Sequence, residues 1–192
     1  EEVAGLCRQE GGRAVAVPTD VSDEAQCARL IERAMSEYGR IDALINNAGI
    51  SMWALFEEVT DLSIFARLLQ VNYLGSVYCT WHALPHLKRT RGRLVAVSSL
   101  TGKTGVPTRS GYAASKHALE GYSESLDHEV RAAGVRVVLV EPAYTRTSFE
   151  GNVYQADQQL DVTDKVFAFE ELKEAMAYLK SGAHFGKVCL RF

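Results

Sequence analysis

Three side chains within one short stretch can carry proton chemistry. Residues 98–116 read SSLTGKTGVPTRSGYAASK and hold a hydroxyl at Ser99, a phenol at Tyr112 and an ammonium at Lys116. Tyr112 and Lys116 stand four positions apart in a segment that reads as helix, so both project from one face. A free phenol titrates near pH 10, too high for proton exchange at neutrality, and a neighbouring cation lowers that value. Bringing it to about 7 takes roughly 4 kcal/mol of differential stabilisation. The expectation is that Lys116 supplies it. Ser99, at the end of an apolar strand, is placed to hydrogen-bond an oxygen on which charge develops. A phenol acid/base beside a hydroxyl donor suits the interconversion of an alcohol and a carbonyl.

The elements that must position these groups alternate along the chain. Gly11 and Gly12 read as the stop of a helix, and Arg13–Val17 as a short strand after it. Ser22–Tyr38 is an amphipathic helix, with Cys27, Leu30, Ile31, Ala34, Met35 and Tyr38 on one face. Ser22 is its expected cap, Asp23 and Glu24 suit its positive end, and Gly39 ends it. A strand follows at 41–45, and a long helix from about 61 to 88, distorted near Gly75 and Pro85. Then come a strand at 93–98, a helix at 111–132 and a strand at 135–140 that Pro142 stops. Strands this uniformly apolar belong to a parallel sheet covered on both faces. The reading is a doubly wound, mostly parallel α/β sheet of Rossmann type, with its site at the carboxyl ends of the strands.

Further motifs fall at those ends. DVSD at Asp20–Asp23 follows the first strand, and Asp20 by itself is also an ordinary turn aspartate. NNAG at Asn46–Gly49 closes the second strand, where small residues let backbone approach a ligand or simply make a turn. Asn72 sits in an apolar helix, and a buried amide paired with backbone would account for it. EPAYTRT occupies Glu141–Thr147.

In this order and at this spacing, the series resembles the short-chain dehydrogenase/reductase family over residues 1–150. The resemblance implies an NAD(P)-dependent oxidoreductase in which Asn72, Ser99, Tyr112 and Lys116 form the catalytic set. In that reading Asp20 binds the adenine amino group, with Val21 packed nearby, and Asn47, Ala48 and Gly49 line the adenosine ribose. Pro142, Ala143 and Thr145 flank the nicotinamide, while Tyr112 and Lys116 contact its ribose. The family usually has glycine where Ala143 stands. Leu100, Thr101, Pro107 and Tyr144 are plausible pocket residues. The cofactor is NAD or NADP, the substrate a small alcohol or carbonyl, and no metal is required. Homo-oligomerisation through helices 61–88 and 111–132 is expected on the same ground.

Two features depart from the family. No T-G-x-x-x-G-x-G turn is present, and Glu1 opens in the middle of a helix pattern. The expectation is a fragment or an incomplete reading of the gene, in which strand 41–45 exposes an apolar edge that strand 13–17 moves to fill. A non-catalytic remnant or interaction protein that cannot bind the dinucleotide is the alternative reading. Residues 161–192 look like the strand–helix–strand end of medium-chain alcohol dehydrogenases and quinone reductases. This divides the chain into a truncated Rossmann-like unit, 1–155, and a foreign tail, 156–192.

Bulk properties are those of a globular domain. The 192 residues are 47% hydrophobic and 23% charged, with a net charge of −3. That balance gives no basic footprint for nucleic acid or an anionic membrane. No apolar run reaches bilayer length and no signal-peptide pattern appears, so a cytoplasmic location is expected. Cys7, Cys27, Cys79 and Cys189 lack metal-binding spacing and read as reduced thiols.

Overall fold

A computed structural model describes residues 2–142 and 153–155. Helix α1 spans Glu2–Gln9 and α2 spans Glu24–Tyr38. Strand β1, Ala43–Asn46, is followed by the short β2, Ser51–Trp53. Helix α3, Ser63–Leu69, runs through a π-helical turn at Gln70–Leu74 into α4, Gly75–Thr90. Strand β3 is Arg93–Val97, α5 is Ser110–Val130, β4 is Arg136–Val140 and β5 is Val153–Gln155.

The main sheet is parallel in the order β1-β3-β4, with Ile45 opposite Val95 and Val95 opposite Val138. The crossovers are α3–α4 and α5, as a parallel sheet requires. This is the Rossmann-like α/β arrangement expected from the sequence. Leu94 of β3 packs with Ile31 of α2, Ala83 and Leu87 of α4, and Leu126 and Val130 of α5. One apolar core thus fixes three helices against the sheet. A second core gathers Ile50, Met52, Leu68, Val71 and Tyr112, and it underlies the carboxyl ends of the strands.

Several boundaries differ from expectation for local reasons. Asp23, not Ser22, caps α2, because its carboxylate accepts from the Ala25 and Gln26 N–H groups. The Ser22 hydroxyl is taken by Asp20 Oδ1 at 2.7 Å. Gly39 ends α2 with φ 73°, a left-handed conformation that glycine adopts without cost. The distortion in the long helix is the π turn before Gly75, and Pro85 is carried inside α4 without a break.

Residues 13–17 are not a strand. They are half-buried or exposed and join no ladder. An apolar run becomes a strand only where a partner lies alongside, and none of the described residues offers one. Nor do they move beside β1, which among the described residues pairs with β3 alone. The parallel pair β2–β5, with Met52 opposite Tyr154, was not expected. It ties residues 153–155 beside the second core. The tail read in residues 156–192 lies outside the described residues, as does Cys189. Cys7, Cys27 and Cys79 are free thiols, and burial, with Cys79 adjacent, pushes the Cys27 thiol up to about 12. No described helix is long and apolar enough to cross a membrane.

Candidate active site

Tyr112 and Lys116 lie in the first two turns of α5, on its buried face. They are 7% and 4% exposed. Ser99 follows β3 and opens a 3-10 turn at Leu100–Gly102. The Ser99 hydroxyl lies beside the Tyr112 phenol and favours its charged form. Ser99 Oγ also accepts from the Thr101 N–H at 3.2 Å and from Thr101 Oγ1 at 3.0 Å. The Leu100 N–H donates to the Pro142 carbonyl at 3.4 Å, so the ends of β3 and β4 are joined at the site.

Lys116 Nζ donates to the Val97 carbonyl at 2.8 Å and stands 5.8 Å from the Tyr112 ring centre. An ammonium has three donors, so two remain for other partners. Burial pulls Lys116 down to about 8, and the Glu120 carboxylate works against that fall.

The expected lowering of Tyr112 by Lys116 is not found. Burial raises the Tyr112 phenol above its ordinary value, and the Ser99 hydrogen bond and the Arg109 guanidinium only partly offset it. A phenolate enclosed in apolar surroundings is costly, and the Lys116 ammonium is engaged with Val97 rather than with the phenol oxygen. Arg109 escaped the sequence reading. Its guanidinium donates to Ser51 Oγ at 2.6 Å, stacks 4.8 Å from the Trp53 ring centre and lies 5.9 Å from that of Tyr112.

Asn72 is fully buried within the π turn. Its Oδ1 accepts from the Ile50 N–H at 2.8 Å, and Nδ2 donates to the Ile50 carbonyl at 2.9 Å and to Ser115 Oγ at 2.8 Å. The amide is thus paired with backbone, and through Ser115 it reaches the helix that carries Tyr112 and Lys116. Asn72→Ala leaves the Ile50 N–H and carbonyl buried without partners. The expected cost is about 2–4 kcal/mol, read by urea denaturation. A loss below about 1 kcal/mol would contradict this bracing role.

Gly49 stands against the same groups. A Cβ there would lie 3.3 Å from Asn72 Oδ1 and 3.8 Å from Lys116 Nζ, so the chain passes close to both groups at this position. Asn47 and Ala48 beside it are exposed at the end of β1. Asn46, by contrast, turns inward and donates to Thr80 Oγ1 at 3.0 Å. Asp20 is exposed and accepts from the Ser22 N–H at 2.9 Å, the use an ordinary turn aspartate makes of its carboxylate. Val21 packs against Gly75 at the head of α4. Ala143, Tyr144, Thr145 and Thr147 lie outside the described residues. No group of metal-ligating side chains occurs among the described residues.

The sequence profile of the family described as short chain dehydrogenase matches residues 1–158. The chain belongs to the short-chain dehydrogenase family. It is 42% identical over 138 residues to the 11-beta-hydroxysteroid dehydrogenase-like 4A of Arabidopsis thaliana, covering 71% of this chain and 46% of that protein. Identity to the 11-beta-hydroxysteroid dehydrogenase of Pinus massoniana is 34%, covering 92% of this chain and 51% of that protein. Among solved structures, a short-chain dehydrogenase from Streptomyces avermitilis superposes with a TM-score of 0.74 at 30% identity, covering 91% of this chain and 64% of that one. ElxO with NADP bound gives a TM-score of 0.64 at 34% identity, covering 67% of this chain and 52% of that one. This member of the short-chain dehydrogenase family spans about half the length of the curated relatives it matches.

Proposed function

We propose that this chain carries the acid/base half of an NAD(P)-dependent oxidoreductase that interconverts an alcohol and a carbonyl, with Tyr112 as the proton donor and acceptor. The observation that carries the reading is the gathering of Ser99, Tyr112 and Lys116 beside Gly49 at the carboxyl ends of a parallel sheet. Ser99 orients the substrate oxygen, and Tyr112 protonates it or takes its proton. Lys116, with two donors to spare, and the close backbone at Gly49 fit the ribose of a nicotinamide dinucleotide. Asn47 and Ala48 are exposed and Pro142 is half-buried at the carboxyl ends of the strands, whereas Ala143 and Thr145 are carried from the family. Bound NAD or NADP supplies or accepts the hydride. ElxO is solved with NADP and a similar xylitol dehydrogenase with NAD+, so both cofactors belong in the test. The plant relatives named for hydroxysteroids make a secondary alcohol on an apolar skeleton the first class to try. Exposed Trp53 and Leu100 offer apolar surface nearby.

A raised Tyr112 is protonated at neutral pH, so carbonyl reduction, which needs the acid form, proceeds there. Alcohol oxidation needs the phenolate and is expected to rise as pH climbs from about 7 towards 10. Rate profiles in both directions check this, and an oxidation rate independent of pH over that range contradicts it. The reading as a whole is tested with NADH and NADPH deuterated at both C4 positions and a ketone panel. Deuterium at the carbinol carbon supports it, and deuterium-free product from both cofactors overturns it.

A further inference from the structure

Glu120 is a buried carboxylate one helical turn beyond Lys116, 4% exposed. Its two oxygens have different partners. Oε1 accepts from Ser98 Oγ at 2.6 Å, and Oε2 pairs with Lys103 Nζ at 2.8 Å. Ser98 immediately precedes Ser99, and Lys103 closes the 3-10 turn that Ser99 opens. Gly102 lies directly over the carboxylate. A Cβ there would fall 2.0 Å from Glu120 Oε1 and 2.6 Å from Ser98 Oγ, so no side chain fits between turn and helix.

The geometry points to Glu120 as a positioning residue for the proposed reaction, clamping both ends of the Ser98–Lys103 turn to α5 so that Ser99 is held beside Tyr112. The inference rests on the oxidoreductase reading for its meaning, and on buried geometry for its evidence. An unpaired carboxylate at this depth is unfavourable, and here one hydroxyl and one ammonium satisfy it. Lys103 also meets Glu124 at 3.6 Å and Glu141 at 3.3 Å, so the groups facing Glu120 are Ser98, Lys103, Lys116 and those two acids. The attraction between Glu120 and Lys116 opposes the burial that pulls the lysine down.

The test reads Lys116 directly, by side-chain NMR titration of the lysine-labelled protein, with Lys116→Met identifying the signal. Glu120→Gln keeps an acceptor for Ser98 Oγ and removes the charge. The Lys116 midpoint is expected to fall by about 1 pH unit. Lys103→Gln, at the surface, takes away the carboxylate's ammonium partner and leaves the Glu120 field undivided on Lys116, so the midpoint rises. In turnover, Glu120→Gln lowers kcat about tenfold with KM for the dinucleotide unchanged. An unchanged kcat in Glu120→Gln, with the Lys116 midpoint unmoved in both variants, overturns the inference. A moved midpoint in a protein that never transfers hydride would instead retain the buried Glu120 charge beside Lys116 and sink the oxidoreductase reading.

Discussion

Tyr112→Phe is expected to cut turnover about a thousandfold while leaving the fold and dinucleotide binding in place. The change removes one oxygen from a residue packed with Ile50, Met52, Leu68 and Val71. The ring keeps its volume, so no cavity opens. What is lost is hydrogen bonding at the phenol oxygen, at about 1 kcal/mol of stability. Ser99 retains its contacts with Thr101, and Lys116 retains Val97. If turnover falls less than about tenfold, the proton is passed by another group. A variant that loses turnover together with its tertiary circular-dichroism signal would show structural damage.

The second large effect is on stability, and its sign follows from Lys116. Folding lowers this lysine from an ordinary value of 10.5 to about 8. Between those values the unfolded chain binds more protons than the folded one, so stability rises with pH across that window. The cost of burying the charge is fully present below about pH 8 and is gone above about 10.5, a span worth about 3 kcal/mol. Lys116→Met removes this slope. Its own stability at pH 7 is changed less, because the Val97 carbonyl loses its donor. Denaturant unfolding from pH 7 to 10.5 is the measurement. Parallel curves for the two proteins would mean that Lys116 is not held against its own solvation. The site would then be storing no free energy at the residue that needs it for chemistry.

Much of this was legible because it depends on local rules. Gly39 marked a helix end through its left-handed backbone, and the four-residue spacing of Tyr112 and Lys116 placed both on the inner face of α5. What was not legible depends on partners distant in the chain. Residues 13–17 have a strand's composition, but composition cannot provide a neighbour. Strands β2 and β5 are three residues each, too short for a period to appear. Glu120 reads as one more charge on a helix, because Ser98 is 22 positions away. Its only signal is spacing: Tyr112, Lys116, Leu119, Glu120 and Ser123 share the buried face. The expectation for the Tyr112 proton failed for a related reason. Four-residue spacing says that a cation is near, whereas depth and the direction of its hydrogen bond decide whether it acts.

The central claim is that Tyr112 and Lys116 work beside a nicotinamide dinucleotide, and calorimetric titration of the 192-residue protein with NADH and with NADPH tests it most directly. Sub-millimolar binding of at least one of them is the expected result. Binding at millimolar strength or weaker to both would contradict the claim and favour a protein that keeps the proton-transfer groups without the cofactor.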